Sequence, residues 1–328
     1  MEKLPMDADI LPPSDDRIFK VLLTHPNAKQ VLIDVISSVI DQNIVDVHIK
    51  NNEIPAMDID EKNERLDVNC TIDTGDQINV EMHCNRQDEI ESKHTNFINK
   101  YVYFLTDLHS SQESKGKMYR ELVKTYQITF CMYNVLPQMP DYKNWFTLKT
   151  KDGRQLTDQI NIIIIELSKL SDIIKKPIEK QTSLEKWSLF FRYASERIHR
   201  KMINEIIVHK EEIGMAASLL KEISQDEHER ARAMSRKKYE MDMYSDYHSA
   251  IEDGKIIGQR IGLEQGLEQG LEQGLEQGQK LGLEQGREKG LAEERLIIAR
   301  NALSEGANLE FIHKITGLSL EEIAALKG

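Results

Sequence analysis

The sequence predicts an α/β fold: a mixed β-sheet flanked by helices, followed by an α-helical subdomain and a Gly-Leu-Glu-Gln repeat tail. Three observations predict it. Residues 65–84 alternate apolar and polar side chains in two runs around a glycine turn, the pattern of a β-hairpin with one buried face. Apolar residues at helical spacing precede and follow that hairpin, so helices are available to cover the sheet. Beyond residue 183 the spacing stays helical, and ten glycines from Gly254 to Gly290 recur every four residues. At 328 residues and 40% hydrophobic content, the chain can bury one full core and still carry appendages.

Residues 1–13 are acidic, hold three prolines and read as an extended lead-in. Ser14, Asp15 and Asp16 offer N-cap chemistry for a first helix carrying Ile18, Phe19, Val21, Leu22 and Leu23. Residues 28–40 read as a second helix, residues 45–49 as the first strand, and the acidic stretch 58–64 as a loop feeding the hairpin. Residues 87–108 form a long amphipathic helix whose apolar side, Phe97, Tyr101, Phe104, Leu105 and Leu108, is read as core. A strand at 126–133 ends before Pro137 and Pro140. Residues 145–149 and 160–167 extend the sheet, and the second is apolar enough to be buried on both faces. This sheet domain spans 14–180. A helical subdomain, 181–250, carries Trp187, Phe190, Phe191 and Ile198 in one helix and Ile203, Ile206 and Ile207 in the next.

In the repeat, 251–290, each glycine costs about 1 kcal/mol relative to alanine in a helix interior, so an isolated helix there is marginal. A period of four against 3.6 residues per turn makes the glycine-leucine stripe drift and favours a right-handed wrap between helices. The repeat reads equally as an associating helix, which makes homo-oligomers, or as a flexible spacer. Residues 291–328 form a small helical module: short helices at 291–303 and 308–315, then a capping box opened by Ser319 and Glu322. Residues 316–319 are similar to a helix-turn-helix corner. The final helix is short and acidic at Glu321 and Glu322, poor for a major-groove reader, so a helical cap or dimer module is the preferred reading.

The hairpin carries the chemistry. Leu66, Val68, Cys70 and Ile72 alternate with Arg65, Asp67, Asn69 and Thr71; Ile78, Val80, Met82 and Cys84 alternate with Asn79, Glu81 and His83. A three-residue loop, Asp73 to Gly75, makes cross-strand residue numbers sum to 148 and sets Asp67 opposite Glu81. A sum of 149 sends the two acids to opposite faces. Directly opposed residues have Cβ atoms roughly 4.5–5.5 Å apart, close enough for two carboxylates to share a divalent cation. The plain alternative, a solvated sheet surface, predicts scattered acids with no helix enclosing them.

An Asp on one strand followed by Glu-x-(Lys/Gln) on the next antiparallel strand resembles the PD-(D/E)XK nuclease superfamily. More specifically, the chain resembles the bacterial recombination-promoting nuclease and transposase family, whose members commonly carry Glu-x-Gln. The resemblance extends to Asp16-Arg17-Ile18-Phe19-Lys20, to Ile165-Glu166-Leu167-Ser168-Lys169, to residues 184–190 with Trp187, and to the Gly-Leu-Glu-Gln tail. One position departs: His83 stands where Lys or Gln is usual. The resemblance implies a PD-(D/E)XK (restriction-endonuclease-like) fold and an Mg²⁺-dependent DNA endonuclease, with Mn²⁺ as an alternative ion. It implies Asp67, Glu81 and the Met82 carbonyl as metal ligands, and His83 orienting a water or taking its proton. Asp16 is then an accessory acid beside its reading as a helix cap, and Lys20 a phosphate contact beside its reading as a solvated lysine. Glu166 reads as a strand cap more than as a member of the cluster. The alternative function is a catalytically weak or inactive nuclease-fold scaffold that binds DNA or protein partners and oligomerises through the tail.

Composition narrows the setting. The longest apolar runs fall far short of the roughly 20 residues that span a bilayer, and the N-terminal residues hold no signal-peptide core, which predicts a cytoplasmic protein with no membrane partner. Cys70, Cys84 and Cys131 read as reduced core residues; a zinc site from Cys70, His83 and Cys84 lacks a CxxC pair. The net charge of −12 argues against a non-specific DNA binder. The basic run at 230–238 reads as a solvated helix face rather than a phosphate patch.

Overall fold

Among the described residues, alternation in the strands builds a six-stranded sheet in the order β1-β2-β3-β4-β6-β5. A computed structural model describes residues 2–50, 68–84, 94–112 and 118–327. Its strands are β1 (Val47–Ile49), β2 (Val68–Ile72), β3 (Gln77–His83), β4 (Thr125–Cys131), β5 (Lys143–Lys149) and β6 (Gln155–Glu166). β3, β4 and β6 run parallel to one another, and the remaining pairings are antiparallel. The expected loop 58–64 and the first turns of the expected helix at 87–108 lie outside the described residues.

The hairpin has the register that the sequence required. Val68 faces Val80 and Asn69 faces Asn79, cross-strand sums of 148. Ile72 N–H donates to the Asp76 carbonyl at 3.1 Å, closing the loop from Asp73 to Gly75. Gly75 has φ +89, which a residue with a Cβ rarely adopts.

Helices α1 (Asp16–Thr24), α2 (Lys29–Ile40) and α4 (Ser183–Tyr193) pack on the apolar face of the sheet. Asp15, not Asp16, caps α1, accepting from the N–H groups of Arg17 and Ile18. Phe19 bridges the Phe130 and Phe191 rings at 5.8 and 5.1 Å, and Trp187 stacks on Phe191. Trp187 donates to Asp34 at 2.6 Å, so its polar edge is satisfied inside the core. Helices α5 (Arg200–His209) and α6 (Glu211–Gln225) belong to the same hydrophobic cluster. The lead-in packs against them. Asn204 accepts from Leu4 N–H and donates to Leu4 O at 2.8 and 2.9 Å, and Arg200 donates to Pro5 O at 2.7 Å. Helix α3 (His94–Ser110) covers the opposite, polar face of the sheet.

The chain divides into two compact units, Met1–Lys237 and Lys238–Gly328. Helix α7 (Glu227–Ser304) runs through the whole repeat, and the helix expected separately at 291–303 is its last turns. Along it Leu263, Leu267, Leu271 and Leu275 are exposed. A Cβ added at any of the ten repeat glycines would meet nothing within 4 Å. The end of α7 packs with α8 (Leu309–Thr316) and α9 (Leu320–Ala325) around Ala299, Ile312 and Ile323. Gly317, at φ +71, ends α8, and Ser319 with Glu322 forms the predicted capping box. No described helix is long and apolar enough to cross a membrane.

Candidate active site

β3 lies in the interior of the sheet, so its polar side chains are buried along with its apolar ones. Ile78, Val80 and Met82 enter the main core. On the other face Asn79 and Glu81 are only 3% and 6% exposed, because α3 lies over them. The plain alternative of a solvated sheet surface gives way to a covered polar layer. Asn79 donates to the Gln127 side chain at 2.8 Å and Gln127 donates to Thr129 at 3.3 Å, while His109 and Gln112 reach Thr125 at 2.8 and 2.9 Å. Buried polar groups that bond one another in this way are satisfied without water, beside an apolar cluster in which Ile98 of α3 packs with Cys131 and Ile164.

At the end of this layer stand Glu81 and His83. Lys100, on α3, donates to Glu81 Oε1 at 3.0 Å; the lysine side chain is 43% exposed and the carboxylate's 8%. The Lys100 ammonium also lies 5.5 Å from the Phe104 ring centroid and 5.6 Å from that of Tyr101. His83 meets the Tyr101 and Tyr133 rings edge-on at 6.5 and 5.4 Å. Burial and the neighbouring Lys100 charge hold its imidazole down at about 3, so it is neutral at physiological pH. Sequence reasoning missed Lys100, whose approach to Glu81 crosses from a helix to a strand. The usable signal was the gap left at His83, which directs attention to the nearest lysine on the covering helix.

The other expected residues are distributed around this pair. Asp67 lies outside the described residues, immediately before Val68. Met82 sends its side chain into the core at 2% exposure. Asp16 sits at the start of α1, against Cys84, and bonds Arg236 at 2.5 Å. Burial pushes its carboxyl up to about 6 against the pull of that guanidinium. Lys20 is 1% exposed, not a solvated lysine, because α1 is enclosed on nearly every side. Glu166 is structural: its Oε1 accepts from the N–H groups of Val135 and Leu136 at 2.7 and 2.9 Å, and its Oε2 meets Lys169. The basic run is not simply solvated, since Arg236 pairs with Asp16 and Arg232 with Glu229, which also bonds Arg17.

Zinc chemistry does not fit here. Cys70 points into the apolar core, away from His83, and burial pushes the Cys70 and Cys84 thiols up to about 12. Among the described residues no three His, Cys, Asp or Glu side chains converge to hold a metal ion. The donors on β3, the Glu81 carboxylate and main-chain oxygens with a neutral imidazole beside them, suit a hard oxygen-seeking cation once a second carboxylate joins them.

No curated protein and no solved structure gives a match. The family model described as Rpn/YhgA-like nuclease family, C-terminal HTH domain, matches residues 292–328. That match favours the helix-turn-helix reading of residues 316–319 over a helical cap or dimer module, and α8, the Gly317 corner and α9 lie within it. The model described as PD-(D/E)XK nuclease family transposase matches residues 13–250, the span that holds the sheet, the covering helices and Glu81. The chain therefore belongs to the PD-(D/E)XK nuclease family transposases.

Proposed function

We propose that the chain is a divalent-metal-dependent DNA endonuclease that hydrolyses phosphodiester bonds, with Asp67, Glu81 and the Met82 carbonyl holding Mg²⁺ or Mn²⁺. The observation that carries this reading is Glu81: a buried carboxylate on a covered polar face, paired with a half-exposed lysine, inside the matched span. The hairpin register supports it: the described pairs, Val68 with Val80 to Thr71 with Gln77, have cross-strand sums of 148, the parity that this reading requires. When bound, the ion supplies Lewis-acid polarisation of the phosphate and an acidified water.

The chain's own groups do the positioning. Glu81 is fixed by burial under α3. His83 is neutral and, at about 3, too weak a base to keep a proton at neutral pH, so its part is to orient a water by hydrogen bonding. Tyr101 and Tyr133 hold the ring that does so. Asp16, paired with Arg236, and the buried Lys20 act from α1 as supports of the strand end rather than as direct ligands. The helix-turn-helix match supports DNA as the partner, and the exposed leucines of α7 support self-association through the repeat.

One observation favours the second reading, a scaffold without catalysis: His83 stands where Lys or Gln is usual. Nicking of supercoiled plasmid separates the two. Cleavage by the wild type with Mg²⁺ or Mn²⁺, abolished by EDTA and by Glu81→Ala, supports the endonuclease. Equal cleavage by the variant, or none by either protein, overturns it.

A further inference from the structure

Lys100 and Glu81 form a pair of unequal exposure. The acid is anchored in a strand with its side chain 8% exposed, whereas the lysine reaches it from a different element with 43% of its side chain in solvent. Contrast Lys169 and Glu166, at 12% and 0%, where both partners are enclosed. A lysine carries a compact charge on a flexible four-carbon stem, so it can leave an oxygen and find another anion without moving its backbone. The rings of Tyr101 and Phe104 line its way, each about a cation–π distance from the ammonium.

We propose that Lys100 is a resident counter-ion of the metal site: it neutralises Glu81 while the divalent cation is away, and turns to the DNA phosphate when that cation takes the carboxylate. The proposal rests on the reading of Glu81 as a metal ligand. Its physical basis is competition. An ammonium 3.0 Å from Oε1 occupies the approach to that oxygen, and a divalent ion brought to the same carboxylate repels it at short range. Once displaced, the ammonium stays at the mouth of the site, where a substrate phosphate supplies the negative charge that it has lost. Lys100 thus has opposite effects on two steps. It weakens metal binding in the free protein and strengthens the hold on the substrate when metal is bound. A plain structural ion pair has neither effect.

The test uses the full-length chain and Mn²⁺ alone, with binding followed by electron paramagnetic resonance of the free ion. Wild type is expected to bind Mn²⁺, Glu81→Gln to lose it, and Lys100→Met to bind about tenfold tighter. At saturating metal, Lys100→Met is expected to nick plasmid about a hundredfold more slowly. Lys100→Gln, run in parallel, is expected to shift both quantities the same way, so the result does not depend on how one variant folds. If Glu81→Gln loses Mn²⁺ while both Lys100 variants bind it no more tightly than wild type, Lys100 is only a structural partner and the metal reading stands. If wild type binds no Mn²⁺, the metal reading falls and this inference with it.

Discussion

Glu81 and Glu166 stand near the ends of β3 and β6, both buried, at 6% and 0% exposure. Their partners differ. Glu166 is held by the main-chain N–H groups of Val135 and Leu136 and by Lys169, itself tied to the Leu136 and Met139 carbonyls at 2.8 and 2.7 Å. That arrangement closes on itself. Glu81 meets a lysine from a covering helix, and that lysine is open to solvent. Burial of an acid therefore does not by itself tell these two sites apart; the exposure of its lysine partner does, 43% for Lys100 against 12% for Lys169.

The contrast is broken or sharpened by five substitutions. The largest effect is expected from Glu81→Gln, which should lower metal-dependent nicking by about a thousandfold or more. The same change should move the unfolding free energy in urea by less than about 1 kcal/mol. Glu166→Gln should do the reverse: about 3 kcal/mol of stability lost by urea titration, because Lys169 is left as an enclosed charge without its acid. Should the two variants behave alike, the distinction between them is void.

Asp16 offers an acid with a third behaviour. Folded, it keeps its proton up to about 6, while an unfolded aspartate releases it near 3.8. Its contribution to stability is therefore fully present below 3.8 and is lost as pH rises through about 6. Urea midpoints of wild type and Asp16→Asn across that range should show the wild type losing ground by on the order of 2 kcal/mol as pH rises. A flat difference would mean that Arg236 keeps Asp16 ionised throughout. The smallest effect separates the two lysines: Lys169→Met should cost about 2 kcal/mol and Lys100→Met under about 1 kcal/mol, read from the same unfolding curves.

Much of the frame was legible because it rests on local rules. The alternation of Val68, Cys70, Ile72 and Ile78, Val80, Met82, with Gly75 between, gives both the hairpin and its register, since parity and a three-residue loop leave one choice. The capping box at Ser319 and the helix from residue 29 follow in the same way. What could not be read is tertiary cover. Asn79 and Glu81 look like solvent-facing residues until α3 is laid over them, and Lys20 looks solvated until α1 is enclosed. The partners of Asp16 and Arg17 lie on α7, more than two hundred residues away, and no pattern along the chain announces them. The helical repeat was undecidable for a related reason, since glycine weakens a helix locally while context sets the outcome.

The central claim is that Asp67 and Glu81 share one divalent ion on the α3 face of the sheet, and anomalous diffraction from crystals grown with Mn²⁺ tests it most directly. The account predicts one strong peak bonded to both carboxylates at roughly 2.0–2.3 Å, with Lys100 withdrawn from Glu81. A peak held elsewhere, or Asp67 emerging on the side of Val68 and Val80, would contradict it.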